Sequence, residues 1–488
     1  MIQSESDENP KLPVGETYHS PKPEQTISRE FRAPDIRLKL RFFPPAVTLV
    51  LGMAILLFMG FALLLMPICR VDDGPVNYFH VFFTASSAIT VTGLVVVETS
   101  TYWTFYGQAV ICLMILIGGL GWMTFAGSIL AGLKLVRLGP RISISQRLAF
   151  QEAVGASTTG ETISKLRDAL IIASVLQLIG GLLLSYHFKN NLGMDLLESL
   201  WHGFFQAISA FNNAGFTTIR DSNSLSMFSN NYFVLIIMGS LIMLGGLGFQ
   251  VMRDLLLFKW VNRVHVDTKI VVTLSVILWV LGSVVILALE NNSSHFQAIP
   301  LSEKIINSSF QSVTARAAGF STIPFYEVVP ATSFIVMLLM FIGTASASTG
   351  GGIRLNTLGI LLSTALASVR GREHVTCFRR EIDSRQVNRA ITITFFASAL
   401  VFTVAFILSF TEQGGLKFIY LLFEVCSAVG TVGLSSGITP GLSAVGQIMI
   451  IITMFAGRLI PLVLGLSLID KERKPTPYRY PQERVRIG

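Results

Sequence analysis

The sequence predicts an all-α polytopic membrane protein, with eight transmembrane helices arranged as four tandem units of helix, re-entrant loop and helix about one axis. Three observations carry that fold class. The chain of 488 residues is 51% hydrophobic and only 14% charged, with mean hydropathy +0.62, where soluble chains carry about 25% charged residues. Apolar segments near 20 residues recur at 46–68, 103–133, 165–187, 231–257, 268–289, 332–370, 388–410 and 441–469, each long enough to cross a hydrocarbon core of about 30 Å. Every second link holds a semi-apolar stretch too short to span, followed by a turn of small residues, which reads as a re-entrant segment.

The links between the spans alternate in charge. The N-terminal tail 1–45, the links 134–165, 253–269 and 370–389, and the tail 470–488 are rich in Arg and Lys, among them Arg137, Arg141, Arg147, Arg263, Arg370, Arg372, Arg379, Arg380, Arg473 and Lys474. The other links lean acidic, with Asp72, Asp73, Asp195, Glu198, Glu303 and Glu412. Eight spans with both termini cytoplasmic satisfy the positive-inside rule, and an odd number breaks it. The net charge of +8 is thereby a topology signal and calls for no nucleic acid partner. The basic links either fix topology against anionic lipid or also dock a partner. The division that follows is four units, 46–133, 165–257, 268–370 and 388–469, between two tails. Cys69, Cys112, Cys377 and Cys426 are scattered, giving neither a disulfide framework nor a metal site.

The four turns align on Gly93, Gly215, Gly319 and Gly433. Phe83, Ser87 and Ala88 precede Gly93 at the same spacing as Phe205, Ser209 and Ala210 precede Gly215, and Phe423, Ser427 and Ala428 precede Gly433. The third copy is looser, with Phe310 and Thr314 before Gly319, and a large apolar residue follows every glycine. Internal repetition of this kind fixes an architecture. The alternative for any single glycine is close helix packing, and packing is the preferred reading for Gly118-Gly119-Leu120-Gly121-Trp122 and Gly245-Gly246-Leu247-Gly248-Phe249.

Non-helical backbone survives at membrane depth where it lines a water-filled cavity or is buried in protein. Glycine admits φ > 0, and four such loops around an axis offer rings of carbonyls that replace a cation's hydration shell. Each half-helix also turns the negative end of its dipole toward the cavity. Thr90-Val91-Thr92-Gly93-Leu94 and Thr431-Val432-Gly433-Leu434 resemble the potassium-channel filter Thr-Val-Gly-Tyr-Gly cut to one glycine. The expected ion-binding residues are Thr90, Val91, Thr92, Gly93, Asn212, Asn213, Ala214, Gly215, Ala317, Ala318, Gly319, Gly430, Thr431, Val432 and Gly433, with potassium held at their carbonyls around a central pore.

The sixth segment carries Gly343-Thr344-Ala345-Ser346-Ala347-Ser348-Thr349-Gly350-Gly351-Gly352. Glycine costs about 1 kcal/mol against alanine in a helix, so this run opens the helix beside the conduction path. It is expected either to be a movable gate, through Gly343, Ser346, Ser348, Thr349, Gly350, Gly351 and Gly352, or to be a structural kink. Arg458 falls mid-span, where a charge costs about 2.5–3.5 kcal/mol on insertion scales and marks function by default; it is expected to belong to the gate, shaping the electrostatic barrier in the pore and pairing with the loop 343–352. Its alternatives are snorkelling or capping carbonyls freed by Pro461. Arg316 is expected to face away from the axis, Arg354 to meet headgroups or a partner, and His80 and His202 to be structural.

Asn212-Asn213-Ala214-Gly215-Phe216-Thr217-Thr218, Ala317-Ala318-Gly319-Phe320-Ser321-Thr322 and Ser346–Ile353 resemble the Trk/Ktr/HKT superfamily of potassium transporters over residues 45–470, most closely its Ktr-type membrane subunits. The resemblance implies a homodimer in a bacterial inner membrane, one pore per subunit, docked on a cytosolic RCK-type ring that alone binds nucleotide, with no covalent cofactor. It also implies an arginine below the filter, at Arg458, and potassium preference from glycine at position 93. Ile460 departs from the small residue typical of the family. Against an alternating-access transporter stands the expected near-absence of acidic residues in the spans. An enzyme is disfavoured because the spans hold no catalytic constellation.

Overall fold

The computed structural model describes residues 45–71, 74–120, 162–219, 224–256, 264–297, 299–346, 348–412 and 415–471. The tails, most of the basic link 134–165, Gly121, Trp122, Ala347 and the charged residues Asp72, Asp73, Arg263, Arg473 and Lys474 lie outside them. Fourteen helices of eight or more residues occur among the described residues: α1 Pro45–Leu64, α2 Tyr78–Thr90, α3 Phe105–Leu120, α4 Thr162–Leu192, α5 Leu196–Phe211, α6 Tyr232–Leu247, α7 Phe249–Leu256, α8 Val266–Glu290, α9 Leu301–Thr314, α10 Pro330–Phe341, α11 Leu355–Val369, α12 Ser384–Thr411, α13 Phe418–Gly430 and α14 Ala444–Lys471. A two-stranded hairpin, β1 Thr376–Cys377 and β2 Arg380–Glu381, joins α11 to α12.

Among the described residues three helices are individually long and apolar enough to cross a bilayer: the Arg167–Leu192 stretch of α4, α8 and α12. Their outward faces carry large apolar side chains in the open, among them Leu182, Val280, Leu281, Phe402 and Phe406, as a lipid-facing surface does. The short helices α2, α5, α9 and α13 hold 13, 16, 14 and 13 residues. At 1.5 Å per residue they reach roughly 20–24 Å, short of a full crossing.

The expected segment 231–257 is not straight. It breaks after α6 at Gly248, whose φ of +83° reverses the chain, and α7 leaves at 106° to α6. The segment 332–370 likewise divides into α10 and α11, separated by residues 342–354.

Each short helix packs against a helix next to it in the chain and against one that follows the preceding short helix. The cross-quarter pairs are α3 with α5, α6 with α9 and α10 with α13, and α14 with α2 brings the last quarter back to the first. Phe83, Phe205, Phe310 and Phe423, the aromatics of the aligned spacing, are all buried at 3% exposure or less. They wedge the short helices into the apolar clusters behind the turns.

Candidate functional site

The C-terminal ends of α2, α5, α9 and α13 converge on Gly93, Gly215, Gly319 and Gly433. Three of these helices stop on a residue in the left-handed region two positions before the glycine, at Val91 (φ 57°), Asn213 (φ 59°) and Thr431 (φ 47°). The amides of Thr92, Ala214 and Val432 reach back to the carbonyls of Ser87, Ser209 and Ser427 at 2.8–2.9 Å. The third loop lacks the left-handed residue and winds helical turns on to Ala318, with the Ala318 amide on Thr314 O at 2.9 Å. That is the physical form of its looser spacing.

All four glycines have positive φ, between 73° and 93°, and they stand against one another in a closed order. A Cβ built on Gly93 meets the carbonyl oxygen of Ala214 at 2.3 Å. On Gly215 it meets Ala318 O at 2.8 Å, on Gly319 it meets Val432 O at 2.2 Å, and on Gly433 it meets Thr92 O at 2.1 Å. Each loop therefore presents the carbonyl just before its glycine to the glycine of the preceding loop, and the fourth returns to the first. No side chain fits anywhere in this ring. Hydroxyls behind the ring hold two loops in shape: Ser87 Oγ accepts from the Gly93 amide, and Ser427 Oγ from the Gly433 amide, both at 3.0 Å. Ser209 Oγ instead donates to Phe216 O at 2.8 Å. Four carbonyls and four helix C-termini gather partial negative charge at this ring, and no acidic side chain lies in it.

Residues 342–354 lie against the helix side of this ring. Their neck is closed by a parallel bridge between Ile342 and Ile353, with Gly343 N on Ile353 O at 2.9 Å. Within the loop, a Cβ on Gly350 meets Ala317 at 2.9 Å, and one on Gly351 meets Thr431 Oγ1 at 2.0 Å. Thr349 Oγ1 accepts from Asn213 Nδ2 at 2.6 Å and lies 3.1 Å from Gly245 O. The amides of Ala345 and Thr349 take Gly246 O and Gly245 O at 3.0 and 3.4 Å, carbonyls left open where α6 breaks. Asn356 Oδ1 accepts from the Ser346 amide at 3.0 Å, and its Nδ2 donates to Asp267 on α8. Ser348 Oγ lies 2.7 Å from Thr344 Oγ1, and Gly352 turns at φ +70°.

Arg458 joins this assembly from α14. It donates to Thr349 O and, at 2.7 Å, to Gly118 O. Gly118 itself sits beneath the first loop, where a Cβ meets Ile89 O at 2.2 Å. The loop thus touches residues of the second, third and fourth turns directly and the first through Arg458. Among the described residues no carboxylate pairs with Arg458; its partners are carbonyl dipoles.

Arg316 turns from the ring, with Nη1 3.5 Å from Ser275 O on α8. Arg354 does not extend outward as the sequence suggested: it folds onto the loop, donating to Gly350 O and to Ala345 O at 3.3 Å. His80 lies 3.1 Å from Asn77 Nδ2, and His202 2.7 Å from Thr218 Oγ1. Gly118, Gly119, Gly245 and Gly246 all have neighbours where a Cβ belongs, so they pack as read, whereas Gly248 makes the bend.

Few acidic residues in the spans does not mean none in the buried interior: Asp254 lies within 231–257, Glu290 just past 268–289, and Glu424 in the short helix α13 outside the spans. Asp254, Glu290 and Glu424 are buried at 6%, 1% and 0% exposure. Asp254 accepts from Gln250 and Thr268, Glu290 from the Val329 amide at 3.0 Å, and Glu424 from Ser435, Ser436 and Thr439. Local donors replace water around each of them, which a hydropathy average does not register. The signal for Glu424 was present in the repeat: the residue after each aligned phenylalanine is Thr84, Gln206, Gln311 or Glu424.

Comparison with known proteins identifies the family. The family TrkH, described as "Cation transport protein", matches residues 61–471. The "Ktr system potassium uptake protein B" of Bacillus subtilis (strain 168) is 36% identical over 450 residues, spanning 92% of this chain and 98% of that one. The "Potassium/sodium uptake protein NtpJ" of Enterococcus hirae is 34% identical over 91% of this chain and 97% of that one. The crystal structure of the potassium transporter TrkH from Vibrio parahaemolyticus superposes with TM-score 0.68 at 16% identity, over 90% of this chain and 87% of that chain, a likeness of fold. The chain belongs to the TrkH cation transport protein family, a family of polytopic membrane transporters and not of enzymes.

Proposed function

We propose that this protein is a potassium-selective, channel-like translocating subunit of a bacterial inner membrane. In this reading eight spans form four repeats around a central pore, both termini are cytoplasmic, and Gly93, Gly215, Gly319 and Gly433 with the residues before them form the selectivity filter. The observation that carries the reading is the closed contact order of the four glycines, each against the carbonyl that precedes the next. Backbone rings of this kind bind a cation by replacing its hydration shell. The ordered donors behind the ring keep its carbonyls from collapsing.

The loop 343–352 is the gate in this reading. Its contacts beneath three turns, and its anchorage by Arg458, support obstruction of the path on the helix side of the ring. The name of the Bacillus subtilis relative, component B of a Ktr system, fits a membrane subunit that works with another component. We assign the opening force to an RCK-type cytosolic ring carrying the nucleotide, and the assembly to a homodimer.

The test is cation flux into liposomes holding the purified protein, under opposed potassium and sodium gradients. Downhill potassium flux without a requirement for a second ion supports a pore. Saturation at low turnover with an obligatory second ion contradicts it. Removing residues 345–351 is expected to raise flux in the absence of any cytosolic component, and unchanged flux in a folded deletion removes the loop from gating.

A further inference from the structure

The residue following the aligned phenylalanine is polar and buried in every short helix: Thr84, Gln206, Gln311 and Glu424 have 1%, 1%, 1% and 0% exposure. Three of the four reach across to the chain that leaves the ring. Gln206 Nε2 donates to Thr217 Oγ1, and Gln311 Oε1 accepts from the Thr322 amide at 3.4 Å. Thr84 is too short and bonds back to His80 O within its own helix. Only the fourth position carries a carboxylate.

Glu424 is held with unusual completeness. Its Oε1 accepts from Ser435 Oγ at 2.6 Å, the Ser436 amide at 2.9 Å and Ser436 Oγ at 3.2 Å, and its Oε2 accepts from Thr439 Oγ1 at 2.8 Å. An ionised carboxylate only accepts, and four donors from one five-residue segment meet this one, three on Oε1 and one on Oε2. That segment begins two residues after Gly433. Among the described residues no lysine, arginine or histidine forms an ion pair with it. A fully buried charge without a protein counter-ion is costly, and a cation at the adjacent ring is the available compensation.

We infer that Glu424 is a positioning and affinity-determining residue: its carboxylate, held by four donors behind the outgoing leg of the fourth loop, strengthens cation occupancy of the outer part of the glycine ring. The inference rests on the pore reading above. In that reading the four loops are unequal, the fourth carrying the charge and the other three contributing neutral groups at the same place. Charge acts here without contact with the ion, because at 0% exposure it is screened little.

The test measures half-saturating potassium and maximal flux in proteoliposomes for the wild type, Glu424→Gln and Gln311→Glu, with Gly433→Ser as the reference for the pore. Glu424→Gln keeps the shape and an acceptor but removes the charge. It is expected to raise half-saturating potassium at least threefold while maximal flux stays within twofold. Gln311→Glu adds a carboxylate at the matching place in the third loop and is expected to lower half-saturating potassium at least threefold, which keeps the inference testable if Glu424→Gln does not fold. Half-saturation unchanged in either folded variant, or loss of maximal flux alone, overturns it. If Gly433→Ser leaves selectivity untouched, the pore reading fails instead, and the two failures are told apart.

Discussion

The guanidinium of Arg458 donates to the carbonyl of Thr349, 109 residues earlier in the chain, and in the same reach to Gly118 O. One side chain thereby ties the non-helical loop of the third quarter to the last helix and to the outgoing helix of the first. A charge at this depth is retained at a cost, and here its hydrogen bonds go to backbone groups of the segment that lies against the ring.

Arg458→Ala removes both ties without leaving a charge behind. Hydrogen bonds to a charged group contribute about 1.5–3 kcal/mol each, and every 1.4 kcal/mol is tenfold in a two-state equilibrium. Potassium flux in liposomes without a cytosolic component is expected to rise at least about fivefold. Arg458→Lys, which offers a point charge in place of the fork, is expected to fall between the two. Equal flux in all three contradicts a pinning role.

Thr349→Val keeps the shape of the side chain and deletes the hydroxyl that accepts from Asn213 Nδ2. The buried amide then lacks its partner, at about 1–3 kcal/mol. A lower melting temperature in detergent, with higher basal flux, is the expected result. A variant as stable and as closed as the wild type shows the contact to be incidental.

Ser427→Ala strips the acceptor from the Gly433 amide, a bond of 3.0 Å behind the ring. The loss is local to the fourth loop, so discrimination of potassium from sodium is expected to fall severalfold while the melting temperature moves by a few degrees at most. Competition flux with the two cations reads this directly. Intact discrimination assigns shape-keeping to the backbone alone.

Gly248 turns the chain at φ +83° between α6 and α7. With ψ at 149° this is backbone that is essentially glycine-only and costs another residue about 1–3 kcal/mol, so Gly248→Ala is expected to lower thermal stability in detergent measurably. If stability is unchanged, the bend is maintained by contacts of α7 and not by the glycine.

Much of this arrangement was readable because it repeats. Phe83, Phe205 and Phe423 stand at one spacing from their glycines, and apolar runs broken by charged links mark where helices begin and end. Residues 343–352 announced a break because small residues cannot hold a helix there. The structure added what depends on partners distant in sequence. Gly248 looked like its neighbours Gly245 and Gly246, which pack against Phe211 O and Thr344, and only its dihedral angle separates them. Arg354 was read as an outward charge because sequence does not show the open carbonyls of Ala345 and Gly350 that draw it inward. Glu424 was overlooked because one acid in an apolar stretch hardly alters an average, although the polar residues at the matching places formed a pattern.

In the proposed function four glycines, contributed by four separate loops, form one ion-selecting ring. The most direct measurement is the ratio of potassium to sodium flux in liposomes for the wild type and Gly433→Ser, since a Cβ at this position meets Thr92 O of the first loop at 2.1 Å. Potassium-selective flux in the wild type and sodium-permeable flux in the variant are expected. Selectivity that is indifferent to Gly433→Ser in a folded protein contradicts it.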